Sequence, residues 1–224
     1  MDTPLILINF KIYNEISGIK GLELAKICEK VSANLNVNIS IAPQMVDLSY
    51  LSEKVRIPVF SQHADNITPG SGTGKTTLES IKSSKAVGTL INHSENRLEI
   101  ADIEAMVTKC KDLGLISVVC TNNISVSKAV AMFAPDFIAV EPPELIGGNI
   151  SVTDADPDIV RNTVKEIRKI SPKVKVLCGA GVKTGKDVKK AIELGAEGVL
   201  LASGVTKAKN PIEVLEDLAK GAIK

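Results

Sequence analysis

Apolar and polar positions alternate along the chain in blocks of two kinds. Eight short apolar runs occur at Leu5 to Ile8, Ile39 to Ile41, Val59-Phe60, Thr89 to Ile91, Ile116 to Val119, Phe137 to Val140, Val174 to Leu177 and Gly198 to Leu201. Most are apolar at odd and even positions alike, as a strand covered on both faces must be. Between them lie longer amphipathic segments with helical spacing, among them Gly21 to Ala33, Ile100 to Leu113, Asp156 to Ile170 and Gly185 to Leu194. Pro157 stands early in its segment, where a helix tolerates it. Asn210 precedes Pro211 and reads as the N-cap of a last helix.

Eight strand–helix units fit either a doubly wound sheet or a closed barrel. Spread over 224 residues, each unit has about 28, which is compact and even. A doubly wound dinucleotide fold places G-x-G-x-x-G after its first strand, but here that strand runs into Asn9-Phe10-Lys11. The pattern therefore predicts an α/β protein, a (β/α)8 barrel, with residues 1–224 forming one domain. No linker or low-complexity segment divides the chain.

Composition narrows the function classes. Lys and Arg number 27 against 26 Asp and Glu, a net charge of +1 without charge blocks, so nothing favours nucleic acid. Trp is absent and aromatics are 3% of residues, which leaves no stacking platform for single strands. No apolar run has the length of a membrane span. Met1-Asp2-Thr3-Pro4 does not open a signal peptide, and Cys28, Cys110, Cys120 and Cys178 lack paired spacing. A cytoplasmic setting is expected.

In a barrel of this kind the chemistry sits where strands end. The first strand ends in Asn9-Phe10-Lys11, the third in Ser61-Gln62-His63, the fourth in Asn92-His93-Ser94-Glu95, the sixth in Glu141-Pro142-Pro143, the seventh in Cys178-Gly179-Ala180-Gly181 and the eighth in Ala202-Ser203-Gly204. Taken singly, Lys11 could be a solvated lysine and His93 a hydrogen-bonded core histidine. Asn9 and Lys11 are two apart on an extended segment and so share a side. Glu141 follows an apolar strand, and a buried carboxylate is costly unless used or paired. The small residues after strands seven and eight let backbone N–H groups approach an anion closely. Cys120 and Cys178 read as buried fillers, and His63 as a packing or hydrogen-bonding residue.

Together N-F-K, N-H-S-E, V-E-P-P-E-L-I-G, C-G-A-G-V and L-L-A-S-G-V, in this order along the whole chain, resemble the triosephosphate isomerase family, and the length and the E-P-P-E-L-I-G wording resemble its short archaeal branch. The resemblance implies the TIM barrel named after that family. It implies interconversion of dihydroxyacetone phosphate and D-glyceraldehyde 3-phosphate, in glycolysis and gluconeogenesis, without cofactor or metal. It implies Glu141 as base, His93 as neutral electrophile and Lys11 as the stabilising charge, with Glu95 in support. Asn9, Phe10, Lys11, Ile146, Gly147, Gly181, Ala202 and Ser203 would bind substrate. A helix N-terminus just after His93 would keep its imidazole neutral.

Gly70 to Thr77, GSGTGKTT, looks like a nucleotide-binding loop but is one residue short of it: the required first Gly is Pro69. The resemblance makes this stretch the loop after strand three that joins a homodimer or homotetramer, with Thr73 and Gly74 at its tip. Three rivals remain open at this stage. A Schiff-base aldolase would use Lys11 or Lys175, a non-catalytic phosphate-binding barrel would have no need of Glu141, and an NTPase would use the GSGTGKTT loop.

Overall fold

The computed structural model describes residues 1–141 and 157–223. Among them are eight strands: β1 (Leu5–Asn9), β2 (Asn38–Ala42), β3 (Phe60–Ser61), β4 (Gly88–Ile91), β5 (Ile116–Thr121), β6 (Phe137–Val140), β7 (Lys175–Cys178) and β8 (Gly198–Leu201). All neighbouring pairs are parallel, in the order β2-β1-β8-β7-β6-β5-β4-β3. The two edge strands meet through a bridge between Ile41 and Val59, and Ile41 N–H donates to the Pro58 carbonyl at 3.2 Å. The sheet is thus a nearly closed barrel, and all eight apolar runs of the sequence are strands of it.

Alternation along each strand divides the apolar residues into two layers. Leu5 and Leu7, Phe60, Leu90, Val118 and Cys120, Phe137 and Ala139, Leu177 and Leu200 fill the barrel. Ile6 and Ile8, Ile39 and Ile41, Val119, Ile138 and Val140, Val176 and Val199 face outward against the helices. The last residue of a strand, or the one just past it, keeps the parity of that strand. Asn9 extends Leu5-Leu7 and Glu141 extends Phe137-Ala139, so both stand on the inward track at the barrel mouth.

The covering helices are α1 (Ile19–Leu35), α2 (Leu48–Lys54), α3 (Leu78–Ser83), α4 (Ile100–Leu113), α5 (Ile124–Ala131), α6 (Pro157–Ile170), α7 (Gly185–Glu193), the single-turn α8 (Ser203–Thr206) and α9 (Pro211–Ala222). Side chains cap several of them: Thr77 starts α3, Asn123 starts α5, and Thr184 with Asp187 forms a capping box on α7. Asn210 does stand before α9 but makes no side-chain cap bond, so Pro211 in the first turn marks that start. No helix among the described residues is long and apolar enough to cross a membrane.

Candidate active site

The cleft at the C-terminal end of the strands is lined by Asn9, Lys11, His93 and Glu141 on one side and by Gly181, Ala202 and Ser203 on the other. Residues at the ends of five different strands are thereby brought to one place. Phe10 is not among them. Its parity is outward, and it is fully buried in the layer between barrel and helices; its part is to anchor the first loop, with its N–H donating to the Ala42 carbonyl at 2.9 Å. Ile146 and Gly147 lie outside the described residues.

Lys11 reaches the cleft through an unusual backbone. Its φ is 51°, in the left-handed region that a lysine enters only when held there. Two bonds hold it: its N–H donates to Asn9 Oδ1 at 2.9 Å, and its carbonyl accepts from Gln62 Nε2 at 2.9 Å. The same Gln62 amide donates to the Ala42 carbonyl, tying the first loop to β2. The Lys11 ammonium then pairs with Glu95 Oε1 at 2.7 Å.

His93 depends on its neighbour in the same way. Asn92 has φ 60°, which turns the chain at the end of β4 and brings the imidazole over the barrel. Asn92 Nδ2 donates to the Cys120 carbonyl at 3.0 Å, and its Oδ1 accepts from Leu98 N–H at 2.9 Å. The helix expected directly after His93 is absent from that position; residues 94–95 form a turn and α4 starts at Ile100. What meets the ring is one peptide: Glu95 N–H donates to His93 Nδ1 at 3.2 Å. Nδ1 is therefore an acceptor, and the proton of a neutral imidazole is on Nε2. Burial, followed by the nearby Lys11 charge, pushes the His93 pKa down to about 4. Neutrality comes from desolvation and a neighbouring cation rather than from a helix dipole.

Glu141 is only 3% exposed. Its N–H is fixed by the Thr121 carbonyl at 2.7 Å, and its Oε1 lies 3.5 Å from His93 Nε2. Its Oε2 is buried without a conventional hydrogen-bond partner among the described residues. Burial raises its pKa to about 7, against the opposing pull of the Cys120 thiol, Lys11 and Arg97. Gly179 makes room for the side chain: a Cβ there would fall 2.5 Å from Glu141 Cγ. Asn92, Gln62, Arg97 and Gly179 are positioning residues that reading strand ends alone does not single out. Their roles lie in the left-handed backbone of Asn92, the cross-loop bonds of Gln62 and Arg97 (Arg97 Nη1 donates to the Asn92 carbonyl at 3.3 Å) and the space left by Gly179, which carry no residue-type signal; for Gln62, Asn92 and Gly179, their place at the strand ends is the only hint.

The chemistry on offer is a buried carboxyl near neutrality beside a neutral imidazole, with a cation within reach and small-residue loops opposite. Such a pair can move a proton at carbon while charge develops on oxygen. The family model for triosephosphate isomerase matches residues 4–220. The chain belongs to the triosephosphate isomerase family. It is 59% identical over 216 residues to a triosephosphate isomerase of Methanocaldococcus jannaschii, covering 96% of this chain and 99% of that one. It is 53% identical over 218 residues to one of Methanothermus fervidus, covering 97% and 98% of the two chains. A triosephosphate isomerase of Methanobrevibacter smithii is 49% identical over the same length. These relatives are archaeal, in keeping with the wording of the motifs.

Membership in the family also changes how two other lysines are read. Lys175 is at the start of β7, at the far end of the barrel, where its ammonium donates to the Met1 carbonyl at 2.6 Å. It is out of reach as a Schiff-base nucleophile for this cleft. Lys75, the lysine of GSGTGKTT, is engaged by Asp65 Oδ1 at 2.9 Å, and Thr76 N–H donates to Asp65 Oδ2 at 2.7 Å. The donors that a nucleotide loop would offer to phosphate are turned onto a carboxylate of the same chain. Thr73 and Gly74 lie exposed beside a groove that Asn9, Lys11, Ile12 and Glu95 also line.

Proposed function

We propose that this chain, acting as one domain over residues 1–224, interconverts dihydroxyacetone phosphate and D-glyceraldehyde 3-phosphate through an enediolate, as a step of glycolysis and gluconeogenesis. Glu141 takes the proton from one carbon and returns it to the next. His93 donates from Nε2 to the substrate oxygens as a neutral acid, and Lys11 stabilises the negative charge that builds on them. Asn9 holds Lys11 and contacts substrate, while Glu95 fixes both the Lys11 ammonium and the His93 tautomer. Backbone N–H groups at Gly181, Ala202 and Ser203 receive the phosphate, together with Ile146 and Gly147.

One observation carries this reading: two buried titratable groups 3.5 Å apart are pushed in opposite directions, Glu141 up to about 7 and His93 down to about 4. The carboxyl can both accept and release a proton near neutral pH. The imidazole stays uncharged, so its own weak acidity matches that of the enediol it serves. A non-catalytic phosphate-binding barrel has no use for this pair.

The subunits are proposed to associate through the loop after β3, as a dimer or a tetramer. Its exposed tip at Thr73 and Gly74, and the exposed apolar side chains of Ile12 (80%) and Val46 (83%) on the neighbouring loops, form a face suited to a second copy. Cytoplasmic placement fits the four free, buried cysteines.

A coupled assay run in both directions tests the activity. Glu141→Gln is expected to lose at least about a thousandfold in kcat, since it removes the general base itself, while inorganic phosphate still competes with substrate. Near-normal turnover by that variant would remove Glu141 as the base.

A further inference from the structure

One side-chain contact joins the loop after β1 to the loop after β8. The Lys207 ammonium lies over the Tyr13 ring, 4.2 Å from its centroid, well inside the range of a cation–π attraction. Tyr13 itself lines the cleft, two residues beyond Lys11. Glu15 and Glu23 share a neighbouring groove with Lys207, yet the Lys207 ammonium forms no ion pair among the described residues. The ring, not a carboxylate, is its partner.

Both partners are anchored. The Tyr13 carbonyl accepts from Ile16 N–H at 3.2 Å, at the start of the 3-10 turn Asn14–Ile16. The Tyr13 side chain packs on the apolar layer between barrel and helices, and Ile16 is buried in that layer. On the other loop, Lys207 N–H donates to the Ser203 carbonyl at 3.2 Å. Val205 N–H and Thr206 N–H both donate to the Ala202 carbonyl, at 3.1 Å and 3.0 Å. Lys207 thus closes the one turn of α8, and that turn begins at the residues proposed to receive phosphate. The substrate has its two charged ends on these two loops: the oxygens that gain charge are at Lys11, and the phosphate is at α8. Attraction at each end does not fix the distance between the ends. A contact from just beyond Lys11 to the end of α8 does, and fixed spacing favours a ligand that spans both.

We propose that Tyr13 and Lys207 are positioning residues, whose cation–π contact clasps the loop after β1 to α8 and sets the span between Lys11 and the phosphate donors of Ala202 and Ser203. This rests on the isomerase reading given above and adds what holds the two ends of the cleft at a fixed distance.

The test compares Lys207→Met, Tyr13→Leu, their double variant, and the conservative Lys207→Arg and Tyr13→Phe. Lys209→Met is the control, removing the same charge from an exposed position two residues on. Three quantities are read: kcat, KM for glyceraldehyde 3-phosphate, and competitive inhibition by inorganic phosphate, which occupies one end of the cleft only. For an exposed cation–π contact, Lys207→Met and Tyr13→Leu are each expected to raise KM about threefold, with kcat within about twofold of the wild type. The double variant matches the single ones instead of multiplying their effects. Lys207→Arg and Tyr13→Phe keep KM near the wild-type value, Lys209→Met changes nothing, and phosphate inhibition is unaltered throughout. The proposal is overturned if one or both single variants leave KM unchanged, or if the double variant multiplies their losses. It is also overturned if phosphate inhibition weakens along with KM, which would make Lys207 a general attraction for anions. An inactive wild type would count against the isomerase reading instead. Thermal unfolding then decides the clasp: a loss of Tm shared by the single and double variants supports it, and independent losses overturn it.

Discussion

At the scale of single residues, Glu141 sets a conflict between activity and stability. Its carboxyl is raised to about 7 by burial. Between the ordinary carboxylate range and pH 7 the native state holds a proton that the unfolded chain has released. Native stability therefore falls as pH rises through that window, by something on the order of 3 kcal/mol. His93 runs the other way: with its pKa lowered to about 4, the unfolded chain takes up the proton first, and stability rises from pH 4 to 6.5. The two contributions oppose each other in mildly acidic solution, and above pH 7 the buried carboxylate remains as a net cost. Glu141→Gln is expected to be more stable than the wild type at pH 8, with a Tm advantage larger by about 5 °C or more than at pH 5; a gap independent of pH would show that Glu141 is not desolvated in solution. The same titration governs rate. In the free enzyme kcat/KM should fall about tenfold per pH unit below about 7, with no second loss from His93 until near pH 4; an acid limb centred near the ordinary glutamate value would contradict this. Glu141 and Asn9 are legible in the sequence because they continue the inward parity of β6 and β1. The reach of Lys11 and His93 is not, because it depends on left-handed backbone at Lys11 and Asn92. Neither residue type announces that angle; the bonds from Asn9, Gln62 and Leu98 impose it.

At the scale of elements, the strands were readable because a parallel barrel buries both faces, so each strand is an unbroken apolar run. Even β3, with two residues in its ladder, shows as Val59-Phe60. The turns between strand and helix were harder. The residues after His93 follow a strand and precede an amphipathic stretch, which suggests a helix start, but the Asn92 side chain bonds Leu98 N–H and holds the chain in a turn for several residues. Local side-chain to backbone bonds of this sort compete with helix formation. The turn after β7 makes the best test of an element acting on the site. Gly179 has ordinary backbone angles, so its role is space alone: a methyl group there would meet Glu141 Cγ at 2.5 Å and the Val140 carbonyl at 3.0 Å. The cheaper of the two to move is the Glu141 side chain. Gly179→Ala is expected to lower kcat about a hundredfold by misplacing the base, with KM changed much less and the circular dichroism spectrum intact. A variant with wild-type kcat would mean that the glutamate can relocate without cost.

At the scale of the whole molecule, GSGTGKTT is shaped by its own chain. Asp65 takes the Lys75 ammonium and the Thr76 N–H, its own N–H donates to the Thr76 carbonyl at 2.8 Å, and Lys75 N–H closes on the Gly72 carbonyl at 3.0 Å. The loop is thus stiffened at its base while Thr73 and Gly74 remain exposed at its tip. That exposed tip lies next to a groove lined by Asn9, Lys11 and Glu95, and the proposed association of subunits would use both. In a two-fold interface each subunit supplies the same patch, so a single substitution enters twice. Thr73→Arg would place two guanidinium groups beside two Lys11 ammonium groups, where like charges repel and bulk opposes close approach. Because Thr73 makes none of the bonds that shape the loop, the barrel itself should fold as before. Sedimentation across a dilution series is expected to show the wild type holding its oligomeric mass and Thr73→Arg dissociating toward the monomer. Activity should decline in step with dissociation, since the first loop that carries Asn9 and Lys11 borders the contact. Unchanged mass with unchanged activity would separate this loop from assembly, and lost activity at unchanged mass would mean that the tip acts on the site within its own subunit.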